Sequence, residues 1–61
     1  MPKIHIIRDD AVVGVGTEAQ FRIACLLALD VGDLRIPLAA LIRRFNQRWA
    51  ELGNPQRVRL A

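Results

Sequence analysis

Glycine, one spacer, glycine, two spacers and alanine fall at Gly14, Gly16 and Ala19 in the stretch VVGVGTEAQF. That spacing is one spelling of the turn whose backbone amides cradle a dinucleotide pyrophosphate. The chemistry also needs a second parallel strand after the helix, ending in an acid that holds the ribose. Here the segment after the expected helix reads as a glycine break and another helix, and no Lys-Ser or Lys-Thr pair marks a Walker loop. Gly14 and Gly16 are therefore expected to act as a hinge, turning the chain from a hairpin into a helix capped by Thr17.

The other residues capable of chemistry are isolated. His5 sits between Ile4 and Ile6 with no nucleophile or carboxylate in sequence to work with, so it reads as a structural or rim histidine. Cys25, on the same helical face as Phe21 and Ala28, reads as a small core residue. Asp9 and Asp10 are adjacent and suit a tight turn rather than a carboxylate pair. A single cysteine and a single histidine allow neither a disulfide nor a zinc cluster. These absences argue against an enzyme: no catalytic residues, metal, cofactor or small-molecule substrate are expected.

The arginines carry the strongest signal. Residues 1–33 hold Lys3, Arg8 and Arg22 against five acids; residues 34–61 hold Arg35, Arg43, Arg44, Arg48, Arg57 and Arg59 against Glu51 alone. Such asymmetry points to an anionic partner, nucleic acid first. At 100° per residue, Arg43, Gln47, Arg44 and Arg48 form the outward surface of a helix, outside its apolar stripe, with Asn46 near the edge. Guanidinium and amide side chains on one helix face are the types that reach phosphates and base edges in a major groove. A solvated helix face is the plainer reading of the same residues. Arg44 and Arg48, like charges one turn apart, are mildly unfavourable until they meet phosphates or carboxylates, and Glu51 can pair with Arg48.

Three elements must position these groups. KIHIIRDDAVVGV reads as two β-runs around Asp9-Asp10, a hairpin at about residues 3–15. Thr17-Glu18-Ala19-Gln20 matches the capping box and opens a helix at about 18–30. Its apolar residues do not form one stripe: Ile23, Leu26 and Leu27 point away from Phe21 and Cys25. A helix apolar nearly all round is buried, or buried on assembly, which marks those three leucine and isoleucine side chains as a self-association or partner surface. Gly32 suits the left-handed end of that helix, and Pro37 the first position of the next, at about 37–52. Leu38, Leu41, Ile42, Phe45, Trp49 and Leu52 give this second helix a clean amphipathic stripe. Gly53-Asn54-Pro55 stops it, and the tail 53–61 suits a short strand or a frayed end. The spacing from Ala28 through Gly32 to Leu38 is loosely like a helix-turn-helix, with an unusually long connection.

The expected class is thus α+β: one small domain spanning residues 1–61, a β-hairpin followed by two α-helices, completed by dimerisation or by a partner. With 61 residues, 52% of them hydrophobic, and no staple, a homo-oligomer or a larger protein partner is the available support. The longest apolar run, Ile23 to Leu29, is far short of the roughly 20 residues that span a bilayer, and no secretory leader is visible. A cytoplasmic protein with no membrane role is the expectation. The function expected is a small DNA-binding regulator or accessory protein gripping phosphates through Arg43, Arg44, Arg48, Arg57 and Arg59, with base contacts from Asn46 and Gln47. The alternative is a protein-binding adaptor or inhibitor, such as a phage or mobile-element product docking on a larger assembly.

Overall fold

The computed structural model describes residues 2–31, 33 and 35–61. It is an α+β fold in the order β1 (Lys3–Arg8), β2 (Ala11–Thr17), α1 (Glu18–Leu29), α2 (Leu38–Glu51), β3 (Arg57–Leu60). The three strands form one antiparallel sheet in the order β2-β1-β3. The tail is therefore a strand that completes the sheet, adding a third β element to the hairpin and two helices.

Asp9 and Asp10 connect β1 to β2 with φ of 52° and 64°. Two successive left-handed residues are what a two-residue turn of the I′ type requires, and its twist matches that of the flanking strands. Thr17 caps α1 with the expected reciprocal pair: the Gln20 amide donates to Thr17 Oγ1 at 3.1 Å, and the Thr17 amide donates to Gln20 Oε1 at 2.9 Å. The helix ends at Leu29, and Asp30 takes the left-handed conformation (φ 56°) that Gly32 was expected to supply. Its own amide closes on the Leu26 carbonyl. Gly32 itself lies outside the described residues. Pro37 stands just before α2 as its cap residue (φ −57°, ψ 140°), and its carbonyl accepts from the amides of Ala40 and Leu41. Gly53, at φ 74°, ends α2.

The expectation for Gly14 and Gly16 needs correction. Neither is a hinge: both lie inside β2, and neither has a positive φ. What they supply is room. A Cβ on Gly14 would come within 3.1 Å of Ile6 Cδ1, and one on Gly16 within 3.2 Å of the Gln20 carbonyl oxygen that completes the cap. A phosphate-cradling loop has no place in a continuous strand.

Cross-strand partners share a face of a sheet. Ile4 and Ile6, with their partners Gly14, Gly16, Val58 and Leu60, form the face toward the helices. The core cluster is Ile4, Val58, Phe21, Cys25, Leu41 and Phe45, with Cys25 and Leu41 wholly enclosed. Phe21 meets Phe45 edge-on, with ring centroids 5.2 Å apart, and Phe45 in turn meets Trp49 at 4.7 Å. Helix α1 packs over β1 and β2, while α2 packs over β3 and against α1. The opposite sheet face is bare of helix and carries Lys3, His5 and Ile7 of β1, Val12 and Val15 of β2, and Arg57 and Arg59 of β3. Val13 is an extra residue in β2 where the pairing with β1 shifts between Ile6 and Ile7.

Candidate nucleic-acid interface

The cationic surface is organised by one amide. Asn46 projects from α2 toward the outer side of β3, where its Nδ2 donates to the Val58 carbonyl at 2.9 Å and its Oδ1 accepts from the Val58 amide at 2.7 Å. Val58 alternates with residues whose main chain faces β1, so its own N–H and C=O face outward at the sheet edge. The Asn46 side chain satisfies both, in the manner of a further strand. With donor and acceptor engaged on the backbone, Asn46 is scaffolding. The base contact expected of it is corrected accordingly.

That contact sets the positions of the arginines. Arg43 precedes Asn46 by three residues, so the two share a flank of α2, and Gln47 is exposed beside them. Arg57 and Arg59 bracket Val58 on the strand that Asn46 grips, and both are exposed. Arg43 above the edge, and Arg57 and Arg59 below it, therefore surround β3. Arg44 and Arg48 project from the other flank of α2, away from β3, and Gln47 lies on the outer face between the two flanks. The expected single surface is thus divided: Arg43, Arg57 and Arg59 are brought to one edge, and Arg44 and Arg48 are not.

The ion pairs sharpen this division. Arg48 reaches Glu51 at 3.5 Å. Arg22 donates to Glu18 at 3.0 Å and to the Asp33 carbonyl at 3.2 Å, tying α1 to the segment that follows it. Arg35 pairs with Asp33 at 2.8 Å, and this hydrogen-bonded guanidinium holds the Asp33 carboxyl below its ordinary pKa while the Arg35 value rises. Arg43, Arg44, Arg57 and Arg59 have no ion pair among the described residues. Exposed pairs are worth at most about 1 kcal/mol, so even Arg48 is readily recruited by a stronger anion.

Two features were not foreseen from the sequence. Arg22, a charged residue in the middle of α1, is buried; its only signal was Glu18, four residues earlier. An apolar groove of ≈ 330 Å³ also opens between α1 and α2 over the sheet. All three aromatic residues of the chain, Phe21, Phe45 and Trp49, line it, above Ile4, Ile6 and Gly16. Gly16, without a side chain, leaves this part of the floor uncovered.

Cys25 is enclosed, and desolvation pushes its thiol pKa up despite the nearby Arg22 charge. It is a core residue and a poor nucleophile. His5 is half-buried on the helix-free sheet face between Val15 and Arg59. No group of three or more potential metal ligands occurs among the described residues, and no described helix is long and apolar enough to cross a membrane. No family model, curated protein or solved structure matches this chain.

Proposed function

We propose that the chain is a non-catalytic nucleic-acid-binding accessory or regulatory module that grips DNA phosphates at the β3 edge. Arg43, Arg57 and Arg59 supply the principal charges, Arg44 extends the field, and Gln47 is an exposed amide free to approach a base. The observation that carries this reading is that, of the five guanidinium groups without carboxylate partners among the described residues, four (Arg43, Arg44, Arg57 and Arg59) belong to α2 and β3 and only Arg8 lies outside them. Neutralising phosphates releases counterions, so log affinity falls with log salt by about 0.9 per phosphate on duplex DNA. Four contacts per chain predict a slope of about −3.6.

Fluorescence anisotropy of a labelled duplex, titrated across a salt series, tests this. Changing Arg43, Arg57 and Arg59 together to alanine is expected to flatten the slope by about 2.7 while leaving the circular dichroism unchanged. An unaltered slope in that variant, or no binding at low salt, overturns the reading.

The groove favours a second reading, an adaptor in which an acidic protein presents an apolar side chain to Phe45 and Trp49. Arginine and tryptophan side by side are typical of interface hot spots. A partner that stays bound after nuclease treatment, and is released when Ala24→Trp fills the groove, selects this reading over the first.

A further inference from the structure

The two edges of the sheet are treated differently by the fold. At β3 the outward main chain of Val58 is covered by Asn46. At β2 the outward groups belong to Val15, because its neighbours Gly14 and Gly16 point theirs at β1. No side chain hydrogen-bonds to Val15 among the described residues. Its strand, AVVGVGT, carries none of the charges or prolines with which edge strands avoid pairing. Val12, Val13 and Val15 are all exposed, Val15 by 60%.

The helix that follows this strand, α1, presents an apolar row on its side away from the core. Ala19, Ile23 and Leu27 are spaced i, i+4, i+8 and so form one ridge. Ile23 and Leu27 lie on the helix side opposite the enclosed Cys25, and they are exposed by 59% and 83%. The helix-facing positions of β2 are Gly14 and Gly16, so no side chain rises from that part of the strand to hold a neighbouring helix away.

We infer that β2 and the Ala19-Ile23-Leu27 ridge form a two-fold interface with a second copy of this chain. The two β2 strands pair antiparallel through Val15, giving a continuous six-stranded sheet. Three observations select a second copy as the occupant. The pairing is self-complementary: an axis through Val15 sets Gly14 of one copy against Gly16 of the other, so both sides of the seam are free of bulk below the helices. Helices resting over adjacent edge strands lie about 10 Å apart, the separation at which apolar ridges interlock. The charge distribution also permits only this edge. Neither β2 nor the ridge carries a charged side chain, and the arginines around β3 are left at the two far ends of the enlarged sheet. Pairing through β3 would instead oppose those guanidinium groups and displace Asn46.

The interface does not depend on the nucleic-acid reading. Sedimentation equilibrium without nucleic acid is expected to give twice the 6.8 kDa chain mass at tens of micromolar. Val15→Lys, and separately Leu27→Glu, are each expected to weaken association at least tenfold; both sites are exposed, so the dichroism of the monomer is retained. In the unmodified protein the Val15 amide gains protection from hydrogen exchange as concentration rises. A chain monomeric at hundreds of micromolar, a dimer indifferent to both substitutions, or a Val15 amide whose exchange ignores concentration overturns the interface. The arginine-to-alanine triple variant stays dimeric, so loss of DNA binding there leaves this interface untouched.

Discussion

The β3 edge and the β2 edge bound the same three-stranded sheet, yet they are finished in opposite ways. Around β3 the outward groups of Val58 are matched and, Leu60 apart, the exposed side chains are cationic: Asn46 holds Val58, and Arg43, Arg57 and Arg59 stand around the strand. Around β2 the exposed side chains are valines and the helix above shows isoleucine and leucine to solvent. Side-chain capping and charge oppose strand addition at the first edge, whereas the uncharged main chain at Val15 remains open to it. The proposed anion site and the proposed dimer seam follow from this difference.

This contrast can be broken most severely at Asn46. Asn46→Ala strands both the amide and the carbonyl of Val58 at a part-buried position, at a cost of about 1–3 kcal/mol. Chemical denaturation is expected to show that loss, and hydrogen exchange to show the Val58 amide opening. Equal protection of Val58 in variant and parent means the side chain does not cap the edge. A smaller break lies on the β2 side, where Thr17→Ala removes the acceptor of the α1 cap for about 1 kcal/mol. Because α1 touches β1, β2 and α2 but not β3, this loss is expected to weaken association while leaving the salt slope for DNA unchanged. The mildest probe is alkaline pH, which acts on the core shared by both halves. Burial raises the folded-state pKa of Cys25 above its ordinary value of 9.0. Its contribution is therefore intact below the unfolded value and is lost as pH rises through the folded one. Stability is expected to decline above about pH 9, and Cys25→Ala to flatten that part of the profile.

Much of the fold is written locally. The Asp pair, the Thr17–Gln20 cap and the stripe from Leu38 to Trp49 each act through neighbours within one or two turns and form as their spacing implies, although Leu52, expected to extend the stripe, lies past the end of α2 and is exposed. What the spacing does not disclose is long-range. The strand partner of RVRL is β1, almost the whole chain away, so alternating basic and apolar residues alone leave strand and frayed end equally open. Gly14 and Gly16 resemble a turn because glycine is the commonest turn residue. Only Ile6 and Gln20, fixed by the fold, show that their missing side chains are what the strand requires. The site divides in the same way. The helix wheel separates Arg43 from Arg44, but nothing in it says which flank overlies β3; that is decided by Asn46, which stands beside Ile42 and Trp49 and resembles a surface amide until its partner strand is known.

The position of β1 has one more consequence, in time rather than in space. First in chain order, it is the central strand, bonded on one side to the hairpin partner that follows at once and on the other to the last strand. The hairpin is quick to close, whereas docking β3 must overcome the entropy of closing a loop that contains both helices. Until that happens the sheet has two open margins and the aromatic cluster lacks Val58. A chain in which the hairpin has closed before β3 docks would expose both strand margins, and it is from such a chain that pairing in the wrong register is expected.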